Sequence, residues 1–297
     1  MIASPARTRR RVTLHLLLCT LLAAALSAQS APLAVMSFNL RYATSRDGAN
    51  RWEARRQMVF DLLRQQNADI IGVQEALDSQ LADIVRAVPG YAVVGVGRDD
   101  GRTSGEYSAI LFRSGRFRLA ESGTFWLSDT PDIPGSRTWG NRIPRICTWA
   151  RLVDRAGLAF WVYNLHLDHE SQAARERSTR LLLERVRTRA SPREPVIITG
   201  DFNVGEGNPA LEPLLGDAPQ GAPFVDSFRK LHPDATAVGT YTAFQIGRVQ
   251  GPKIDFVLVE PDVEVVKAEI LRFSRNGRYP SDHFPVTATV RLRAGAS

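Results

Sequence analysis

The clearest pattern in the chain is an apolar run that ends in polar side chains. Val196 to Thr199 are four β-branched residues, predicting a buried strand, and Gly200, Asp201 and Asn203 follow. In extended chain, residues two apart point the same way, so Asp201 and Asn203 are expected to be offered together at the strand's end. The arrangement recurs. Val35–Asn39 ends on Asn39, Ile70–Glu75 ends on Glu75, and Phe160–His166 delivers Asn164 and His166. Ser281, Asp282 and His283 stand directly before the apolar run Phe284–Val290. Strand ends that open into loops are where α/β folds commonly keep ligands, so these positions predict one polar site at one edge of the sheets.

A helical period fills the intervals. Trp52–Gln66 carries an apolar stripe of Met58, Val59, Leu62 and Leu63, with its arginines and glutamines expected in solvent. A shorter helix is expected after Asp78 as N-cap, and the longest over Ser171–Arg189. Short helices are expected from Asn208-Pro209 to Leu215 and over Val225–Leu231. Tyr91–Val96, Tyr107–Phe112, Phe117–Leu127, Ile146–Val153 and Leu158–Leu165 read as strands with hairpin spacers, and Ile254–Glu260, Val263–Phe273 and Phe284–Leu292 as the last strands. Ser128–Arg145 is a long loop holding Arg137, Trp139, Arg142 and Arg145, and Gly239–Phe244 a short strand or extended loop. About eleven strands and three or four helices, with β/α units early and midway and hairpins between and late, predict two sheets face to face with helices outside. A plain Rossmann fold or a barrel fits this order poorly.

Residues 1–30 change the reading of charge. Arg7, Arg9, Arg10 and Arg11 precede an apolar core over Leu14–Leu26, and Ala28 and Ser30 suit cleavage before Ala31. This is the pattern of a secretory signal peptide, so an exported protein, periplasmic or extracellular, is expected, with residues 31–297 as one domain. Loss of the four leader arginines lowers Lys+Arg from 38 to 34 against 31 acidic residues, so the formal charge falls from +7 to +3. A surface of +3 tolerates a polyanion without requiring one. Cys147 would be the sole cysteine left, so no intramolecular disulfide is expected, and apolar neighbours Ile146 and Trp149 suit a buried thiol.

The polar set Asn39, Glu75, Asp201, Asn203, Asp255, Asp282 and His283 is rich in oxygen and poor in nitrogen. Mg²⁺ prefers carboxylate and water oxygens, whereas zinc would call for more histidines, so the inventory suits Mg²⁺ or Mn²⁺ acting on a phosphate. Asp255 is the natural carboxylate to orient His283, leaving Asp282 for the metal. Trp139, Tyr241 and Phe244 read as core or loop packing, with the lining of a cleft as the alternative.

In order, Ser37-Phe-Asn39, Gln74-Glu75, Asn164-Leu-His-Leu-Asp-His169, Thr199-Gly-Asp-Phe-Asn203, Lys253-Ile-Asp255 and Ser281-Asp-His283 resemble the motifs of the endonuclease/exonuclease/phosphatase superfamily, over roughly Leu33–Leu292. The resemblance implies a four-layered α/β sandwich with mostly antiparallel sheets, and a metal-dependent phosphoesterase. By carry-over, Glu75 is the main metal ligand, helped by Asn39 and Asp282. Asp201 positions or deprotonates water or protonates the leaving group, Asn203 orients Asp201, and His166 donates to the phosphate. Asp255 orients His283, while Arg145 and Asn164 are expected to meet the substrate and Glu106 to support the site. Phosphodiester hydrolysis is the leading expectation, with nucleic acid as a substrate. A phospholipid diesterase, a sugar- or inositol-phosphate phosphatase, and an inactive binding protein are the alternatives. No obligate protein partner is expected, and the chain is taken as a monomer.

Overall fold

A computed structural model describes residue 1 and residues 31–216 and 221–293. Apart from Met1, the leader read over residues 1–30 lies outside the described residues, as does part of the loop read at 216–223. The first sheet takes β1 (Leu33–Asn39), β2 (Ile70–Ala76), β3 (Tyr91–Val94), β4 (Tyr107–Arg113), β11 (Glu264–Ile270) and β12 (Val286–Arg291). The second takes β5 (Phe117–Trp126), β6 (Ile146–Asp154), β7 (Ala159–His166), β8 (Val196–Asp201), β9 (Val225–Asp226) and β10 (Asp255–Val259). Their orders are β11-β12-β1-β2-β4-β3 and β5-β6-β7-β8-β10-β9. Each sheet has one parallel pair at its centre, β1 with β2 and β7 with β8, and antiparallel pairs elsewhere. A helix joins each parallel pair, as a parallel connection requires: α1 (Trp52–Gln66) in the first and α3 (Gln172–Arg187) in the second. Among the described residues, α2 (Asp78–Ala87), α4 (Glu212–Leu215) and α5 (Ser227–Leu231) complete the α-helices.

The period of two assigns the layers. Leu33, Val35, Ile70 and Ile110 of the first sheet pack with Leu152, Val162, Ile197 and Val257 of the second, in the core between the sheets. Their alternates face outward: Met36, Phe38, Ile71 and Val73 lie under Val59, Leu62 and Leu63 of α1, and Leu81 and Ile84 of α2. On the far side Tyr163, Leu165, Ile198 and Leu258 lie under Ala174, Leu182 and Val186 of α3. The result is the expected four-layered sandwich.

The inter-sheet face changes character along its length, and this change places the site. Beyond the apolar rungs comes a neutral polar rung of Ser37 paired with Gly72 and Asn164 paired with Thr199. Beyond that lie Asn39 paired with Gln74, His166 paired with Asp201, and Asp201 paired with Asp255. Gly72 allows the sheets to meet at the neutral rung, since a Cβ there would stand 2.0 Å from Thr199 Oγ1.

Three details differ from the sequence reading. Leu77, not Asp78, caps α2; its N–H donates to Gln80 Oε1 at 3.1 Å. Val225–Leu231, expected as one helix, divides into β9 and α5, with Asp226 capping the helix. The α1 arginines are not all in solvent: Arg55 is fully buried and donates to the carbonyls of Leu40, Arg41, Asn50 and Pro280. It thereby ties the loop after β1 to the segment before His283. Burial lowers the Arg55 pKa to about 10, which still leaves the guanidinium charged at neutral pH.

Candidate active site

The charged rung opens into a cleft of about 460 Å³ lined by Glu75, Asp201, Asn203, His166, Asp282 and His283 on the motif side. Arg41, Tyr42, Arg98, Glu106, Arg145, His169 and Tyr241 also line it. Glu75 reaches the cleft through a local device. The register of β2 against β4 shifts between Gln74 and Ala76, and Glu75 takes a left-handed φ of 61°. Such a bulge re-aims one side chain, so Glu75 is turned toward the inter-sheet polar set that regular alternation would give to Gln74 alone. Gln74 bonds Asn164 within the core, while Glu75 Oε1 accepts from Asn39 Nδ2 at 3.1 Å.

Asn39 is the hinge between the two carboxylates, since its Nδ2 also donates to Asp201 Oδ2 at 2.9 Å. Its Oδ1 accepts from the Arg41 N–H at 2.9 Å. In this arrangement Asn39 offers nitrogen rather than oxygen to the carboxylates, which differs from the ligand role expected for it. Ser281 Oγ donates to the Asn39 carbonyl at 2.7 Å, docking the segment that carries Asp282 and His283.

His283 Nδ1 donates to Asp255 Oδ2 at 2.9 Å, and His283 Nε2 lies 3.8 Å from Asp201 Oδ2. Burial works against the imidazolium, but Asp255 and then Asp201 together outweigh it and hold the His283 pKa well above its ordinary value. Asp201 is pushed up to about 7, by burial first and then by the charge of Asp255, against the opposing pull of His283 and donors from Asn39 and Asn203. His166 moves the other way: burial first, then Arg145 and Arg98, hold it well below the ordinary range. Its Nε2 accepts from Asn203 Nδ2 at 2.9 Å, which fixes the proton on Nδ1, and that buried N–H has no protein acceptor.

Asn203 departs from the expectation of two side chains pointing together. Strand β8 ends at Asp201, and Asn203 adopts a left-handed φ of 53°. Its backbone N–H donates to Asp201 Oδ1 at 2.9 Å, while its side chain turns to His166 and the Leu167 carbonyl. Asn203 therefore orients Asp201 through the backbone.

Asn164 does not reach the cleft. It is fully buried in the neutral rung, with Nδ2 donating to the Val73 and Ala109 carbonyls and Oδ1 accepting from Gln74 and Thr199. All its hydrogen-bonding capacity is spent clasping the sheets, so the expected substrate contact is replaced by a structural one. Arg145 does line the cleft, braced by Asp168 at 3.4 Å and His169 at 2.7 Å. Arg142 is instead an exposed partner of Glu170, and Arg137 an exposed donor to the Arg142 carbonyl. Arg41 and Arg98 are cleft residues that sequence reasoning passed over, because each sits in a loop with no periodic signal.

The donor set accommodates a divalent ion. Asp201, Asp255 and His283 each place a ligand atom within 4.8 Å of the others, and such a set could coordinate one. Two members of that set are already bonded to each other, however. Glu75 and Asp282 offer a second, oxygen-only spot. Burial first, and then Glu75 among the charges, raise the Asp282 pKa, so a cation there would relieve crowded negative charge.

Comparison with known proteins agrees with this layout. The family model described as Endonuclease/Exonuclease/phosphatase family matches residues 36–283. An endonuclease/exonuclease/phosphatase family protein of Bacteroides thetaiotaomicron is similar at 35% identity, with a TM-score of 0.80 over 88% of this chain and 99% of that one. The mannosyl-6-phosphatase of the same organism is 36% identical, with a TM-score of 0.77 over 87% and 99%. An uncharacterized protein of Acanthamoeba polyphaga mimivirus is 27% identical over 164 residues, 52% of this chain, and the chain spans 60% of that relative's length.

Proposed function

We propose, from the premise that the chain belongs to the endonuclease/exonuclease/phosphatase family, that it is a divalent-metal-dependent phosphoesterase acting on small phosphate esters, with sugar phosphates the leading class. The observation that carries this reading is the cleft of about 460 Å³, in which carboxylates and imidazoles share space with three arginines. Its size is that of a small-molecule site, and guanidinium forks suit phosphate oxygens. The 36% identity to a mannosyl-6-phosphatase supports a sugar ester. A nuclease, the leading expectation from sequence, becomes the alternative outcome of the test.

Glu75 and Asp282 would hold Mg²⁺ or Mn²⁺, and Asn39 could add its oxygen only by turning its amide over and giving up Arg41. When bound, the ion neutralises charge on phosphate oxygens. Asp201, with a pKa near neutrality, is suited to take a proton from the attacking water. His283, held as imidazolium by Asp255, donates to the phosphate through Nε2. Neutral His166 holds the Asn203 amide through Nε2, 3.6 Å from Asp201 Oδ2, and Arg145 offers the guanidinium edge turned away from Asp168 and His169. The leader pattern supports export to a periplasmic or extracellular site, which cell fractionation would check.

The test is a panel with purified protein and Mg²⁺: hexose 6-phosphates, inositol phosphates, bis-nitrophenyl phosphate, sphingomyelin, plasmid DNA and RNA. Phosphate release from monoesters, abolished by chelation, is expected. Faster cleavage of nucleic acid or sphingomyelin than of any monoester, or activity indifferent to chelator, would overturn the reading.

A further inference from the structure

Several cleft residues are left idle by the chemistry above, and they are not ordinary surface groups. Arg98 and Glu106 form a bidentate pair at 2.6 and 2.7 Å, and Arg98 is only 9% exposed. Both line the cleft. The hairpin that carries them is braced: the Arg98 N–H donates to the Glu106 carbonyl, and Trp126 Nε1 donates to the Arg98 carbonyl at 2.7 Å. A buried ion pair is weak as a device for stability, because desolvation offsets its attraction. Here it presents a fixed donor and acceptor to the cleft, and Arg98 Nε is buried without a partner.

Tyr241 also lines the cleft and is 41% exposed. Its ring lies 5.1 Å from that of His283, and the Arg248 guanidinium is 5.4 Å from its centroid. The backbone after it is strained: Ala243 and Phe244 both take a left-handed φ, 50° and 61°, though neither is glycine. Thr242 holds this turn by donating its N–H and hydroxyl to the Asp282 carbonyl, at 2.6 and 2.9 Å. An exposed aromatic ring is thus fixed beside the reacting groups at a cost in backbone energy.

The geometry points to a leaving-group subsite for a pyranose, in which Tyr241 takes an apolar face of the sugar ring and the Arg98–Glu106 pair exchanges hydrogen bonds with its hydroxyls. This rests on the phosphoesterase reading and adds the residues that select the alcohol. Aromatic rings combine apolar area with rigidity, and a paired acid and guanidinium supply acceptors and donors in fixed positions. These are the two demands of a sugar, whose C–H faces are apolar and whose rim is polar.

The test compares kcat/KM for mannose 6-phosphate, glucose 6-phosphate and methyl phosphate, at saturating Mg²⁺, in wild type, Tyr241→Ala, Tyr241→Phe and the double variant Arg98→Met/Glu106→Leu. The double variant replaces the pair with apolar groups and leaves no lone buried charge. The ratio of hexose phosphate to methyl phosphate is expected to fall about tenfold in Tyr241→Ala and by about tenfold or more in the double variant, mainly through KM. Tyr241→Phe is expected to recover most of the ratio. An unchanged ratio in Tyr241→Ala and in the double variant, or an equal loss on all three esters, overturns the subsite. Wild-type protein that releases phosphate from none of the three removes the parent reading and the subsite with it, an outcome distinct from the other two.

Discussion

Replacing Asn164 by Asp changes one NH₂ group to an oxygen and should convert the clasp between the sheets into a pH-dependent fault. The two carbonyls that Asn164 Nδ2 serves, Val73 and Ala109, each lie 2.9 Å away, and the side chain is fully buried. A protonated Asp can still donate once, so at low pH the loss is one hydrogen bond and one unserved carbonyl, about 1–3 kcal/mol. An ionised Asp donates nothing and faces two carbonyl oxygens in a dry site, so its folded-state pKa should rise by ~3 units or more. The sign follows from linkage. With the folded pKa above the unfolded value, relative stability is complete below pH ~4 and is lost as pH rises toward the folded pKa. Over three units the added penalty is about 4 kcal/mol, since each unit is worth about 1.4 kcal/mol. The sum at pH 7 approaches the whole stability of an ordinary domain, about 5–15 kcal/mol. Urea unfolding of variant and parent at pH 4.5 and pH 7.5 measures the difference at each pH, which cancels the parent's own titrations. A penalty that is equal at the two pH values would refute the claim that this side chain is sealed between carbonyls. At pH 4.5, where the variant stays folded, KM for the best ester should match the parent, because Asn164 does not reach the cleft.

Gly72→Ala should destabilise the protein by about 3 kcal/mol or more, since overpacking a core costs about 1–3 and this Cβ would meet Thr199 Oγ1 at 2.0 Å; adding Thr199→Ala should return part of the loss, read by thermal unfolding. Cys147 is fully buried, and burial raises its thiol pKa far above the usual range, so in protein produced as residues 31–297, without Cys19, Ellman's reagent should leave the native state unlabelled and react only as it unfolds in denaturant. Glu75→Gln and His283→Ala should keep the parent's circular dichroism and lose about 10²–10⁴-fold in kcat; full activity in both would reject the assigned site.

Much of the site could be read from strand ends because strand alternation fixes which face a side chain takes. Asn39, Glu75, His166, Asp201, Asp255, Asp282 and His283 all meet at one end of the sheets. Alternation does not report depth, however. Asn164 and His166 share a face of β7, yet one is sealed in the neutral rung and the other borders the cleft. Nor does it report where a strand stops: alternation carries the extended chain on to Asn203, whereas a left-handed backbone there sends its side chain to His166. The burial of Arg55 is invisible to helical periodicity because its four carbonyl partners lie outside α1 and are gathered by folding. Arg41 and Arg98 sit in loops that carry no periodic signal, whereas the strand and helix bodies, whose signals are local, fall within a few residues of their expected bounds.

The bond from Ser281 Oγ to the Asn39 carbonyl joins positions 242 residues apart, and β12 lies between β11 and β1. Until this late segment arrives, β1 lacks a neighbour along one edge and Asn39 lacks the strap that brings Asp282 and His283 beside it. Contacts of such long range form slowly, so assembly of the centre should coincide with the final closure of the first sheet. A ribosome-bound intermediate would carry β8 and Asp201 already made while Asp282 and His283 are still missing from the cleft.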